Sequence, residues 1–160
     1  MTQEERISTV GFAPDEVDQS APTRDARLKW VVVVDDAQPE GRRANAVACI
    51  AAAFGARVPG LLGTDGADAD GGAHAGLPWA GCSLLAADGD RLVALRARAA
   101  EEEGVLLIGM PAAAQESRVY DEYLTNLATT PTAQLREIAV GLLGPRKAVE
   151  RLTRKLRLLG

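Results

Sequence analysis

The sequence predicts an α/β layered sandwich with a mostly parallel sheet, and three observations predict it. The stretch LKWVVVVD, residues 28–35, is a short, continuous β-branched run, the mark of a strand covered on both faces. From there to the C-terminus, strand-like runs alternate with helical stripes, the rhythm of helical crossovers between strands. Aromatic residues make up only 4% of a chain that is 47% hydrophobic, and alanine supplies much of that fraction, so helices should pack close to the sheet. At 160 residues the expected organisation is one core.

Each element follows in order. Residues 1–27 are rich in Asp, Glu, Gln, Ser, Thr and Pro, with Ile7, Val10, Phe12 and Val17 as scattered apolar points, and read as a flexible N-terminal extension to a single α/β domain at 28–160. After the first strand, Pro39 and Gly41 break the extended run. RRANAVACIAAAFG then places Val47, Ile50, Ala51 and Phe54 on one helical face, closed by Gly55. Residues 55–81 are glycine-rich and predict a long excursion with one short edge strand at 58–62. CSLLAAD is a second strand. GDRLVALRARAAEEEG is a helix with Leu92, Leu95 and Ala99 inward. VLLIGM is a third strand stopped by Pro111, and the segment after it holds one or two helical pieces with Val119, Tyr123 and Leu127 at four-residue steps. REIAVGLLG is a fourth strand, followed by a C-terminal helix with Pro145 in its first turn and Val149, Leu152, Leu156 and Leu159 facing inward.

Composition excludes several classes. A net charge of −4 and a pI near 5.1 argue against a broad basic footprint for nucleic acid or anionic lipid. No apolar run approaches the roughly 20 residues that span a bilayer, and MTQEERISTV lacks the order of a signal peptide, so no membrane partner and a reducing cytoplasm are expected. Cys49 and Cys82 fall within helix and strand interiors and predict neither a disulfide nor a thiolate metal site. No Gly-rich phosphate loop ending in Lys-Ser/Thr occurs, and no cofactor is expected.

Ligands in open α/β sheets sit outside the carboxyl ends of the strands, which directs attention to VVVVDDAQPEGRRAN. Asp35 and Asp36 alternate across the sheet if the chain stays extended, so they diverge rather than forming a paired-carboxylate site. Either could instead cap the next helix. Arg42, Asn45 and Cys49 share a helix face distinct from the apolar one. Asn45 is out of place among alanines unless its amide bonds a loop, a strand end or a ligand. DADGGAH opens like a calcium loop at Asp68 and Asp70 but lacks the later ligand positions, so it reads as a turn. His74, the single histidine, lies in this glycine-rich loop. Residues 144–160 hold six basic side chains against Glu150 alone, suited to a solvated face or to an RNA backbone. Arg146 directly follows the fourth strand and would join Asp35 at one edge if strands one and four ran in the same sense.

LKWVVVVDD followed by GRRANAVACIAAAFG, the DADG loop and the ending EIAVGLLGPRKAVERLTRKLRLL resemble a bacterial family, the domain of unknown function 2000, over residues 28–159. That family resembles type II peptidyl-tRNA hydrolases. The resemblance implies a three-layer α/β/α sandwich with a mixed, mainly parallel four-stranded sheet, one strand of it antiparallel, and a homodimer. The hydrolases' helix-start lysine corresponds here to Arg42 or Arg43, which keep the charge but not the titratable amine. Their aspartate after the third strand falls in GMPAAAQ, where Gln115 is the nearest polar side chain. Two readings result. The leading one is a protein that binds a small polar ligand in a cleft formed by Asp35, Asp36, Arg42, Asn45, Gln115 and Arg146. The alternative is a hydrolase of an aminoacyl- or peptidyl-RNA ester, with Arg42 and the basic helix steering the backbone and Asp36 or His74 aligning water.

Overall fold

The valine run forms β1 (Leu28–Asp35), the middle strand of a five-stranded mixed sheet in the computed structural model, which describes residues 10–160. The remaining strands are β2 (Gly66–Ala67), β3 (Ala73–His74), β4 (Cys82–Ala87), β5 (Leu106–Pro111), β6 (Glu137–Pro145) and β7 (Arg157–Leu158). The helices are α1 (Glu40–Arg57), α2 (Gly89–Glu101), α3 (Ala112–Glu116), α4 (Tyr120–Thr129) and α5 (Arg146–Thr153). The main sheet runs β5-β6-β1-β4-β7, while β2 and β3 make a separate hairpin.

Two expectations about the sheet are corrected. It has five strands, not four, because the chain turns out of α5 at Arg154 and pairs Leu158 with Leu85; Leu156 and Leu159 therefore lie beyond the helix. It is also not mainly parallel. β1 runs parallel to β4, with Val32 opposite Leu84, but the pairings of β1 with β6, β5 with β6 and β4 with β7 are all antiparallel. The reason for the reversal of β6 is local. The segment carrying α3 and α4 leaves and returns at one edge, where the Ala112 amide donates to the Arg136 carbonyl at 2.8 Å, so β6 must run back along β5. The edge strand expected at 58–62 is absent; Leu62 makes one isolated bridge to Pro78.

Side-chain alternation along β1 feeds two cores. Trp30, Val32 and Val34 meet Ala46, Ile50 and Phe54 of α1 on one face. Val31 and Val33 meet Leu92 and Leu95 of α2 and Val149 and Leu152 of α5 on the other. All four valines are fully buried, each contributing about 1.5–3 kcal/mol relative to exposure. α1 runs past Gly55, and Pro59 lies just beyond its end, where the Val58 amide still donates to the Phe54 carbonyl.

Residues 1–9 of the expected flexible extension lie outside the described residues. Within the rest of it, 10–27, three apolar side chains reach the core of the domain, while most of residues 13–25 are exposed. Val10, Phe12 and Ala26 are buried, the Phe12 ring lies 4.8 Å from Trp79, and the Phe12 amide donates to the Pro59 carbonyl. One sparse apolar residue, Phe12, finds partners at Pro59 and Trp79, far downstream, a pairing invisible to local pattern. Phe12→Leu, which keeps apolar volume but loses the ring pair, is expected to cost about 1 kcal/mol, read as a fall of about 2–4 °C in the thermal midpoint.

Candidate functional site: a polar relay at the carboxyl edge of β1

Asp35 ends β1 and is buried. With the strand hydrogen bonds exhausted, its carboxylate takes over the turn: Oδ1 accepts from the Ala37 amide at 3.1 Å and Oδ2 from Gln38 Nε2 at 2.8 Å. Gln38 Oε1 in turn accepts from Arg42 Nη1 at 3.4 Å, one helical turn on. Arg42 Nε donates to Gln115 Oε1 at 2.8 Å, and Gln115 Nε2 donates to the Arg42 carbonyl at 2.9 Å and to Asn45 Oδ1 at 3.0 Å. Arg42 also lies 3.6 Å from Glu116. The result is a continuous relay, Asp35–Gln38–Arg42–Gln115–Asn45, joining the end of β1, the first turns of α1 and the short helix α3. Such a chain fixes every side-chain amide in one orientation, since each donor faces an acceptor.

Four of the six candidate residues thus come together: Asp35, Arg42, Asn45 and Gln115. Asp36 diverges from Asp35 and pairs with Arg157 of β7 at 2.8 Å. Arg146 is at the opposite end of the sheet, because antiparallel pairing sets Pro145 beside Leu28, the start of β1. Its guanidinium donates to the Arg24 and Ala26 carbonyls and ties down the N-terminal segment. The expectation that Arg146 shares an edge with Asp35 is corrected on that ground. His74 is also remote, on the β2–β3 hairpin, 3.1 Å from Asp68, whose Oδ1 caps the turn through the Asp70 and Gly72 amides. Among the described residues no group of His, Cys, Asp and Glu is arranged to hold a metal. Cys49 and Cys82 are unpaired and solvent-exposed rather than interior, although partial burial pushes the Cys82 thiol up to about 12.

Two functional candidates were not foreseen. Gln38 was legible, since Gln38, Arg42 and Asn45 follow the spacing of one helix face. Glu137 was not. It sits at the start of β6, where a register shift opposite Met110 and Pro111 turns its side chain toward α2, completely out of solvent. Arg96 Nε donates to its Oε1 at 2.6 Å; Oε2 is buried with no hydrogen-bond partner. Burial raises the Glu137 pKa, opposed by the Arg96 hydrogen bond and charge. Gly109 leaves room beside it, since a Cβ there would lie 2.6 Å from Oε1 and displace the carboxylate.

The relay runs between two cavities. A small one of about 220 Å³ is lined by Asp35, Gln38, Asp90, Arg136 and Glu137, with Gly89 and Val93 of α2. A wider groove of about 630 Å³ on the α1 side, lined mainly by apolar groups of α1, β5 and α4, includes Asn45 and Cys49. Asp35, Asp90 and Arg136 thus bring charged residues of both signs around a space the size of a few heavy-atom groups, beside the first turn of α2, while the Glu137 side chain, with no exposure, lies behind its wall.

These features define a mixed α/β protein with a buried carboxylate at the end of its central strand and an amide and guanidinium relay leading from it. The chain belongs to the family described as proteins of unknown function, DUF2000, whose sequence profile matches residues 28–160. A solved protein of unknown function from Agrobacterium strain C58 shares the fold, with a TM-score of 0.73 at 16% sequence identity, covering 84% of this chain and 98% of the other. No curated protein matches. No helix among the described residues is long and apolar enough to cross a membrane.

Proposed function

We propose that the protein binds a small polar ligand at the carboxyl edge of β1, and that the ligand is a zwitterion of amino-acid size bearing an ammonium and a carboxylate. The observation that carries this reading is the lining of the small cavity, which brings the carboxylates of Asp35 and Asp90 together with Arg136 around one space. The relay holds Asp35 in place without consuming it in an ion pair. This reading sits on a three-layer α/β/α sandwich of the type II peptidyl-tRNA hydrolase kind, which the helices on both faces of β1 support; a cytoplasmic homodimer completes it. In the hydrolase reading Asp36 or His74 would align water, but Asp36 is paired with Arg157 and His74 lies on the β2–β3 hairpin beside Asp68, so binding is the activity proposed.

The test is an NMR titration of isotope-labelled protein with glycine, propylamine and acetate. Glycine is expected to shift the amides of residues 35–38 and 89–93 at lower concentration than either half-molecule. Asp35→Asn should weaken glycine binding at least tenfold, and Gln115→Ala, which cuts the relay without touching the cavity, a few-fold. Equal responses to propylamine and glycine, or unaltered binding in Asp35→Asn, would exclude the zwitterion reading.

A further inference from the structure

A second cavity on the molecule has the opposite electrical character. Helix α2 presents Gly89, Asp90 and Val93 to the small cavity described above, and Arg91, Leu95 and Arg98 to a groove shared with α5 and the turn after it. This groove, about 330 Å³, is walled by Arg91, Arg98, Arg151, Arg154 and Lys155, with no Asp or Glu in its lining. Its floor is apolar: Ala94 and Leu156 are accessible, with Leu95 and Leu152 buried beneath them. Like charges converge here at a cost in self-repulsion, in a chain whose net charge is −4.

The cations differ in how they are held. Arg98 Nη2 donates to the Leu152 carbonyl at 3.2 Å, which fixes its head across the groove. Arg91 pairs with Asp88 and Arg151 with Glu102, both from the rim. Arg154 and Lys155 have no ion pair among the described residues and are exposed. A solvated cationic face needs no such arrangement; two unpaired heads beside a fixed guanidinium over an apolar floor match an anion with an attached apolar plane.

We infer that the α2–α5 groove is a binding site for a nucleoside polyphosphate, its phosphates on Arg98, Arg154 and Lys155 and its base against Ala94 and Leu156. Size and charge both select a small ligand over a long one. The volume lies at the lower end of small-molecule sites and holds one such molecule. Taking the five positive charges of the groove away from the net −4 leaves −9 on the remainder of the chain, so a nucleic-acid strand extending beyond the groove meets repulsion, whereas a free nucleotide does not. The phosphates are recognised by side chains, consistent with a sequence that has no phosphate-cradling glycine loop. This inference is independent of the polar relay.

The test is calorimetric titration of the full chain with ATP, AMP, inorganic tripolyphosphate and a twelve-nucleotide single-stranded RNA. ATP is expected to bind at physiological salt, at least tenfold tighter than AMP and several-fold tighter than tripolyphosphate, with affinity falling as salt is raised. The double variant Arg154→Ala/Lys155→Ala should lose at least tenfold in ATP affinity while its ligand-free thermal midpoint stays within a degree of the parent. Asp35→Asn should leave ATP binding unchanged, which separates this site from the edge of β1. No ATP binding, tripolyphosphate binding as tightly as ATP, RNA binding tighter than ATP, or a double variant that binds normally would each overturn it.

Discussion

Replacing Arg96 with alanine is expected to cost about 3–5 kcal/mol of stability at neutral pH, lowering the thermal midpoint by roughly 10 °C. The Arg96 guanidinium is the only cation hydrogen-bonded to Glu137 among the described residues, and the Glu137 side chain has no solvent exposure at all. Burial already raises the Glu137 pKa, with Arg96 as the opposing influence. Without Arg96, burial acts unopposed and the carboxylate is left charged and unpaired in the interior. The pH dependence follows in sign. A carboxyl whose folded pKa exceeds its unfolded value contributes most below the unfolded pKa, and that contribution is lost as pH rises through the folded pKa. The deficit of Arg96→Ala relative to the parent should therefore be largest at neutral pH and shrink toward acid, as Glu137 takes up its proton. Urea unfolding of both proteins between pH 4 and 8 measures it. Adding Glu137→Gln to Arg96→Ala should recover much of the loss at pH 7; a double variant no more stable than Arg96→Ala would show that the charge of Glu137 is not what the arginine neutralises.

Glu137 also marks the boundary of what the sequence displays. β1 was legible because burial on both faces imposes an unbroken β-branched run, and α1 because Ile50 and Phe54 repeat at helical spacing. Pairing sense carries no such local signal. The direction of β6 is decided by where the α3–α4 excursion returns, and that one reversal moved Arg146 from the expected edge to the far one. β7, two residues long, is too short to show alternation and exists because Leu158 meets Leu85 across the sheet. The Asn45 and Gln115 contact was foreseeable as a polar exception in an alanine-rich helix facing the first amide after β5; Gln38, which bonds Asp35 and Arg42, follows the same helix-face spacing but stands beside the more conspicuous aspartates. Glu137 was missed because a carboxylate at a strand start ordinarily faces water. Only the glycine at 109, which makes room for it on the neighbouring strand, hinted otherwise.

Phe54→Ala is the other substitution with a large expected effect, about 3–5 kcal/mol, because the ring is fully buried between α1 and the sheet, 5.5 Å from Trp30 in an edge-on pair. The position below it explains why the site collapses poorly. Gly141, opposite both Val32 and Ile108 in the sheet, is where α1 comes closest: a Cβ at 141 would stand 2.5 Å from Phe54 Cε2 and 2.5 Å from Ile50 Cγ2. Gly141→Ala alone should therefore cost about 1–3 kcal/mol by overpacking, though alanine is small and its backbone conformation is unstrained. The two costs should not add. Removing the Phe54 ring vacates one of the two contacts that reject a methyl at 141, and the methyl in turn fills part of the cavity the ring leaves. The double variant is expected to be more stable than the summed single losses by about 1 kcal/mol, within the range that neighbouring core residues show. Chemical denaturation of the parent, both single variants and the double closes this cycle. Additivity within about 0.5 kcal/mol would mean that Ile50, rather than the phenylalanine ring, sets how closely α1 approaches β6.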